Sequence, residues 1–189
     1  MGVRLLLGAL LRFNFLATDR FETSFLADLM AILPAVDDSF WMKKALVEAH
    51  LAAEKKEVPV GAVAVFENKI VGRGHNQVES LKDATAHAEM IALTSASQTL
   101  GGWRLSGVTL FSTLEPCVMC AGAAILSRID RLVFAARDPK AGACGSVVDI
   151  LANGKFNHQV KVEFKPLPEA EALLKKFFKT LRDKSVNKG

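Results

Sequence analysis

From Val118 to Leu126 the chain carries no charge, and this stretch overlaps Pro116-Cys117-x-x-Cys120, beginning directly after Cys117. A helix without a polar face has to be covered on nearly all sides. The spacing therefore predicts a buried helix over Cys117 to Ser127, inside a layered domain. Pro116 suits its first position, where the missing N–H has no partner to lose. A strand over Val108 to Ser112 leads into this helix, and another over Arg131 to Ala135 follows it.

Hydrophobic periodicity outlines the rest. Between Ser39 and Lys56, helical spacing gathers Trp41, Met42, Ala45, Leu46, Ala49, Ala52 and Ala53 on one face, with Asp38 or Ser39 as the cap. Val60 to Phe66 is an almost continuous apolar run, and Ile70 to Arg73 follows after Glu67-Asn68-Lys69, which predicts a hairpin. Gly74 to Asp83 reads as a polar connection, Thr85 to Leu100 as a helix stopped by Gly101-Gly102, and Val160 to Phe164 as the last strand. The closing helix, Pro168 to Ser185, stacks Leu173, Leu174, Phe177, Phe178 and Leu181 opposite Lys175, Lys176, Lys179 and Arg182. About five strands and five helices in alternating order predict an α/β domain, a sheet between layers of helices.

With 189 residues, half of them apolar, the chain has room for one such domain plus an appendage. Residues 38–189 are assigned to the domain and residues 1–37 to an N-terminal extension. Within the extension Leu5 to Leu11 is apolar between Arg4 and Arg12, far short of the roughly 20 residues a membrane span needs. It reads either as the product of an upstream start, with Met30 and Met42 near the first helix, or as a targeting segment rich in arginine (Arg4, Arg12, Arg20). Three cysteines are too few and too odd for a disulfide framework, which points to a reducing compartment, the cytoplasm by default, with organellar targeting left open. The net charge of +4 permits a polyanionic partner without demanding one.

The chemistry lies in His87-x-Glu89 and Pro116-Cys117-x-x-Cys120. Zinc binds cysteine sulfur at about 2.3 Å and histidine nitrogen at about 2.0 Å, and a site with three protein ligands leaves its fourth position to water. His87, Cys117 and Cys120 are three ligands, not four, so the pattern predicts one open, catalytic zinc per subunit. Cys117 and Cys120, one turn apart, point the same way from a helix start, whose positive end favours thiolates. Glu89, two residues from a ligand, can reach the water without binding metal and carry its proton to a leaving amine. That set suits hydrolytic removal of an aromatic amino group. A redox Cys-x-x-Cys is the alternative for the cysteines alone, and Cys144 is assigned no role.

Around these residues Val58-Pro59-Val60-Gly61-Ala62-Val63, Asp83 to Met90, Thr113 to Ala123, Ala136-Arg137-Asp138-Pro139-Lys140, Gly145 to Asp149 and Asn157-His158 resemble the bacterial tRNA-specific adenosine deaminases. The likeness runs from about Ser39 to the last helix. It implies a three-layer cytidine-deaminase-like fold with a mixed sheet, a homodimer without membrane attachment, and conversion of adenosine to inosine at the anticodon wobble position of tRNA. By matching position, His87, Cys117 and Cys120 would hold zinc and Glu89 would shuttle protons. Asn76 would contact the flipped nucleotide, and Asp138 and the Arg137 loop would lie along the RNA. Phe177 and Phe178 match an aromatic pair where RNA contact is expected. Plainer readings stand beside these: Asn76 as a turn residue, one or both phenylalanines as core, the basic face of the last helix as merely solvated. Departures are few, with Ala84 in place of a usual proline and His75 in place of a frequent large aromatic. A deaminase of free guanine or cytosine, and a silent zinc module that binds RNA, are the rival functions.

Overall fold

Both faces of the apolar run ending at Phe66 need cover, and the protein supplies it. In a computed structural model, residues 37–186 are described, so the readings on Arg4, Leu5 to Leu11, Arg12, Arg20 and Met30 lie outside the described residues. The elements in chain order are α1 (Asp38–Glu54), β1 (Gly61–Phe66), β2 (Lys69–His75), α2 (Val78–Leu81), α3 (Ala88–Leu100), β3 (Thr109–Ser112), α4 (Val118–Leu126), β4 (Arg131–Phe134), β5 (Lys161–Phe164) and α5 (Pro168–Val186). The sheet has five strands in the order β2-β1-β3-β4-β5; β1 pairs antiparallel with β2 and β3, while β3, β4 and β5 run parallel. The fold is three-layered α/β with a mixed sheet, as the spacing and the resemblance imply.

Strand alternation divides the core in two. Ala62, Ala64, Leu110, Leu132 and Phe134 face α3 and α4, packing with Ala88, Ala92, Leu93, Ala121, Ala124 and Ile125. Val63, Val65, Phe111 and Val133 face the other way, onto Trp41, Met42 and Ala45 of α1 and Ala170 of α5. At 25–30 cal/mol per Å² of apolar surface removed from water, these two clusters dominate the stability. Gly72 and Gly74 let α3 approach β2 closely: a Cβ on either would lie 2.2 Å from the carbonyl oxygen of Ala92 or Ala88. That contact lays the first turn of α3 over the end of β2, where the site forms.

Three expectations need correction. The polar connection after Arg73 is partly regular, because Gly74 and His75 continue the ladder opposite Ala62 and Gly61, and Val78–Leu81 forms a short helix. Asp38 is the first residue of α1 rather than the residue before it, and its carboxylate meets Arg131 Nη1 at 2.8 Å. The uncharged helix α4 is not covered on all sides, since Val118 is 56 % and Leu126 74 % exposed. It lies in an outer layer, so only the stripe through Cys120, Ala121, Ala124 and Ile125 meets the sheet.

Arg131 also binds Glu163 through Nε and Nη2, both at 2.8 Å, which ties α1 to β4 and β5. The Arg131 guanidinium, with Lys165 assisting against partial burial, holds the Asp38 pKa at about 2. Arg131 and then Lys161 hold Glu163 at about 2 as well. Both folded-state values lie below the unfolded ones, so the stabilisation is complete above about pH 5 and lost as pH falls toward 2. After solvent screening we expect about 1 kcal/mol from the network, or roughly 2–4 °C in Tm. Thermal melts of Arg131→Met should differ from wild type at pH 6 and converge on it at pH 2; a difference independent of pH would contradict this assignment.

Candidate active site

Two helices each begin just after a residue with extended backbone. His87 precedes α3 with φ −75° and ψ 152°, Cys117 precedes α4 with φ −74° and ψ 175°, and the Cys117 sulfur meets Cys120 of its own first turn. The spacing had set both inside a first helical turn. The extended backbone instead swings each side chain away from its helix axis and toward the other. Upstream of His87 a tight turn fixes this entry: Asp83 Oδ1 accepts from the Thr85 N–H at 2.8 Å, and the His87 N–H donates to the Thr85 carbonyl at 2.7 Å.

His87, Cys117 and Cys120 thereby meet, with one ligand atom of each inside 4.8 Å of the others. His87 Nδ1 lies 3.6 Å from both sulfurs. Tetrahedral bonds of about 2.3 Å to sulfur and 2.0–2.1 Å to nitrogen place the two donor atoms about 3.6 Å apart, so the spacing fits zinc. The charges fit it too. Hydrogen bonds with Cys120 and His87 pull the Cys117 pKa down to about 3, while the neighbouring Cys117 sulfur and burial push Cys120 well above the ordinary thiol value. A bound cation would favour ionisation of both sulfurs.

Glu89, in the first turn of α3, is 3 % exposed, and burial raises its pKa above the usual carboxylate value. Beside it opens a cavity of about 720 Å³ lined by His87, Glu89, Cys117, Asn76, Asp138 and Phe178 among others. Buried Cys120 closes the ligand set from behind. Asn76 is 6 % exposed and donates from Nδ2 to Glu57 Oε2 at 3.2 Å. Asp138 uses Oδ1 to accept from the N–H groups of Lys140 at 2.9 Å and Ala141 at 3.3 Å, which braces its own loop. Phe178 is 42 % exposed and meets Phe177 edge-on at 5.5 Å, so Phe178 reaches the cavity while Phe177 is half-buried. The rim adds Arg137, Lys140, Lys175 and Arg182. Arg137 also stacks on Phe164, 4.7 Å from the ring centre.

Two buried carboxylates in the cavity wall carried no assignment from the sequence. Glu115, 2 % exposed, accepts from the N–H groups of Asp138 at 3.1 Å and of Cys144 and Ser146 at 3.0 Å, and from the Ser146 hydroxyl. Burial works to raise its pKa, but the Ser146 hydroxyl and these N–H groups outweigh it and leave the value lowered. It binds the loop after β4 to the turn that presents Cys117. Glu57 does the equivalent for Asn76 and α2. The available signal was an acid set in an otherwise apolar run, Thr113-Leu114-Glu115-Pro116 in one case and Glu57-Val58-Pro59-Val60 in the other. Cys144 is buried outside the ligand group.

The layered sheet and the His/Cys/Cys cluster at two facing helix ends define a deaminase, and the MafB19-like deaminase family model matches residues 36–182. The tRNA-specific adenosine deaminase of Aquifex aeolicus is 50 % identical over 147 residues, covering 78 % of this chain and 97 % of that protein. A solved structure from studies of A-to-I editing by tRNA:A34 deaminases is 42 % identical with a TM-score of 0.65, over 67 % of this chain and 98 % of that one. A guanine deaminase from Nitrosomonas europaea is 26 % identical with a TM-score of 0.64, over 76 % of this chain and 85 % of that one. This chain belongs to the tRNA-specific adenosine deaminase family.

Proposed function

We propose that this enzyme hydrolyses adenosine to inosine at the wobble position of a tRNA anticodon, with one zinc ion held by His87, Cys117 and Cys120. The observation that carries the reading is a His/Cys/Cys ligand set beside a cavity whose lining carries Arg137, Lys140, Lys175 and Arg182 among the acids Glu79, Asp138 and Glu171. The basic side chains suit a phosphate backbone, while a concave pocket suits one base turned out of a loop.

Bound zinc supplies a Lewis acid that lowers the pKa of water from 15.7 to about 7. Glu89 takes one proton of the attacking water and gives it to the purine ring nitrogen; it then takes the proton of the hydroxyl formed on the attacked carbon and hands it to the amino group, which leaves as ammonia as the carbonyl forms. Its raised pKa suits a group that must gain and lose a proton in one turnover. Asn76 orients the base, Phe178 offers a ring to a neighbouring nucleotide, and Asp138 braces the loop along the RNA.

The runner-up, a deaminase of free bases, draws on the likeness to the guanine deaminase. Incubating the protein with an arginine-tRNA anticodon stem-loop, and separately with guanine and cytosine, distinguishes them. Inosine in the RNA supports the proposal; deamination of the free bases alone sinks it.

The same reading includes a homodimer through the outer face of α4, where Val118, Gly122 and Leu126 recur at a four-residue spacing. Val147 and Val148, 54 % and 43 % exposed, extend the apolar surface on the loop that Gly142 bridges to Cys117. Leu126→Glu should convert a dimer into a monomer in sedimentation equilibrium; a wild-type monomer at micromolar concentration would refute the dimer. Free Cys117, Cys120 and Cys144 suit a reducing compartment, and we assign the enzyme to the cytoplasm. A native N-terminus processed between Met30 and Met42, seen by mass spectrometry, would instead indicate an organelle. Among the described residues no helix is long and apolar enough to cross a membrane.

A further inference from the structure

Glu57 is 1 % exposed in the turn between α1 and β1. Three N–H donors converge on its carboxylate, the Ser80 backbone N–H at 2.7 Å, the Glu79 backbone N–H at 3.2 Å and Asn76 Nδ2 at 3.2 Å, and the Ser80 hydroxyl adds to them. Burial opposes ionisation, but these donors outweigh it and bring the pKa below the ordinary carboxylate value. An ionised carboxylate accepts hydrogen bonds and donates none.

This restricts Asn76. A side-chain amide can face a neighbour with its nitrogen or, after a half turn, with its oxygen. Against Glu57 the second orientation would set oxygen against oxygen, so Nδ2 is held there. Oδ1, which takes no hydrogen bond among the described residues, remains for the cavity that Asn76 and Glu57 line together with His87 and Glu89.

We propose that Glu57 is a positioning residue, which locks the Asn76 amide in one orientation and so sets its carbonyl oxygen as an acceptor for a donor group of the nucleotide beside Glu89. The proposal rests on the nucleobase-deaminase reading above. It gives the buried carboxylate a task beyond closing α2 through Glu79 and Ser80. Glu57→Gln keeps the shape but supplies a donor of its own, so either orientation of Asn76 finds a partner and the acceptor is no longer fixed.

The test compares wild type, Glu57→Gln, Asn76→Ala and the double variant in single-turnover deamination of the arginine-tRNA stem-loop, each with a thermal melt. Glu57→Gln should lower kcat/KM about tenfold when Asn76 is present and less than about twofold when residue 76 is alanine. Equal losses in both backgrounds, or a loss confined to Tm, would mean that Glu57 serves α2 alone and would overturn the proposal. Should the glutamine variant not fold, Glu57→Asp, with the charge drawn back by one methylene, is expected to show the same dependence on Asn76. Wild-type protein without activity on the stem-loop would overturn the functional reading and this proposal together; wild-type turnover with additive losses overturns this proposal alone.

Discussion

Glu89→Gln is expected to lower inosine formation by about 10²- to 10⁴-fold, the usual contribution of a positioned acid/base, while metal content stays at wild-type level. The substitution preserves the volume of a side chain that is 3 % exposed, so α3 keeps its packing on β2. It removes the one property the mechanism needs, a proton that can be taken and returned. Glu89 lies outside the His87, Cys117 and Cys120 group, which is why the ligands survive its loss. Rates from the stem-loop assay beside elemental analysis of the same sample test this. Turnover within tenfold of wild type would remove Glu89 from the proton path, and it would also favour a chain that binds RNA without acting on it.

Cys120→Ala is expected to remove both zinc and activity. With two ligands left, zinc content should fall from about one ion per chain to a trace, and turnover with it. The cavity left by the sulfur, at a side chain 1 % exposed in the α4 stripe that meets the sheet, adds a stability cost of about 1–2 kcal/mol. Cys144→Ala is the control: that residue is equally a buried cysteine but no ligand, so metal and turnover should persist. Elemental analysis and melting with and without chelator report both variants. A Cys120→Ala protein with full zinc and turnover would refute the ligand assignment, whereas chelator should lower the Tm of wild type and Cys144→Ala but leave Cys120→Ala unmoved.

Much of this site could be read from spacing because its parts are local. Cys117 and Cys120 sit one helical turn apart, and His87 and Glu89 share one helix entry, so each pair's geometry follows from backbone conformation near it. That the two pairs meet was implied by the three-ligand set, but how the chain brings them together did not follow from spacing. It depends on β1 and β3 pairing antiparallel and on Gly72 and Gly74 letting α3 lie against β2. Those contacts join residues far apart in the chain, where no periodicity connects them. Phe177 and Phe178 show the same limit within a single helix. Helical spacing put both on one apolar face, and the separation of a half-buried Phe177 from a cavity-lining Phe178 comes from where that face meets the domain.

The uncharged run that ends at Leu126 led to the opposite error. Lack of charge implied cover on nearly all sides, yet a helix in an outer layer meets its own sheet on one side only, and what covers Val118 and Leu126 is not encoded in their polarity. Residue types and spacings by themselves determined the strands and long helices, the three-ligand set and the acid beside it, because each is a property of a few neighbouring residues. Only the tertiary structure decided the strand order, the extended entry that points His87 and Cys117 at one another, and the tasks of Glu57 and Glu115. Those two carboxylates act through backbone N–H groups, which every residue but proline offers, so no side-chain pattern marks their partners.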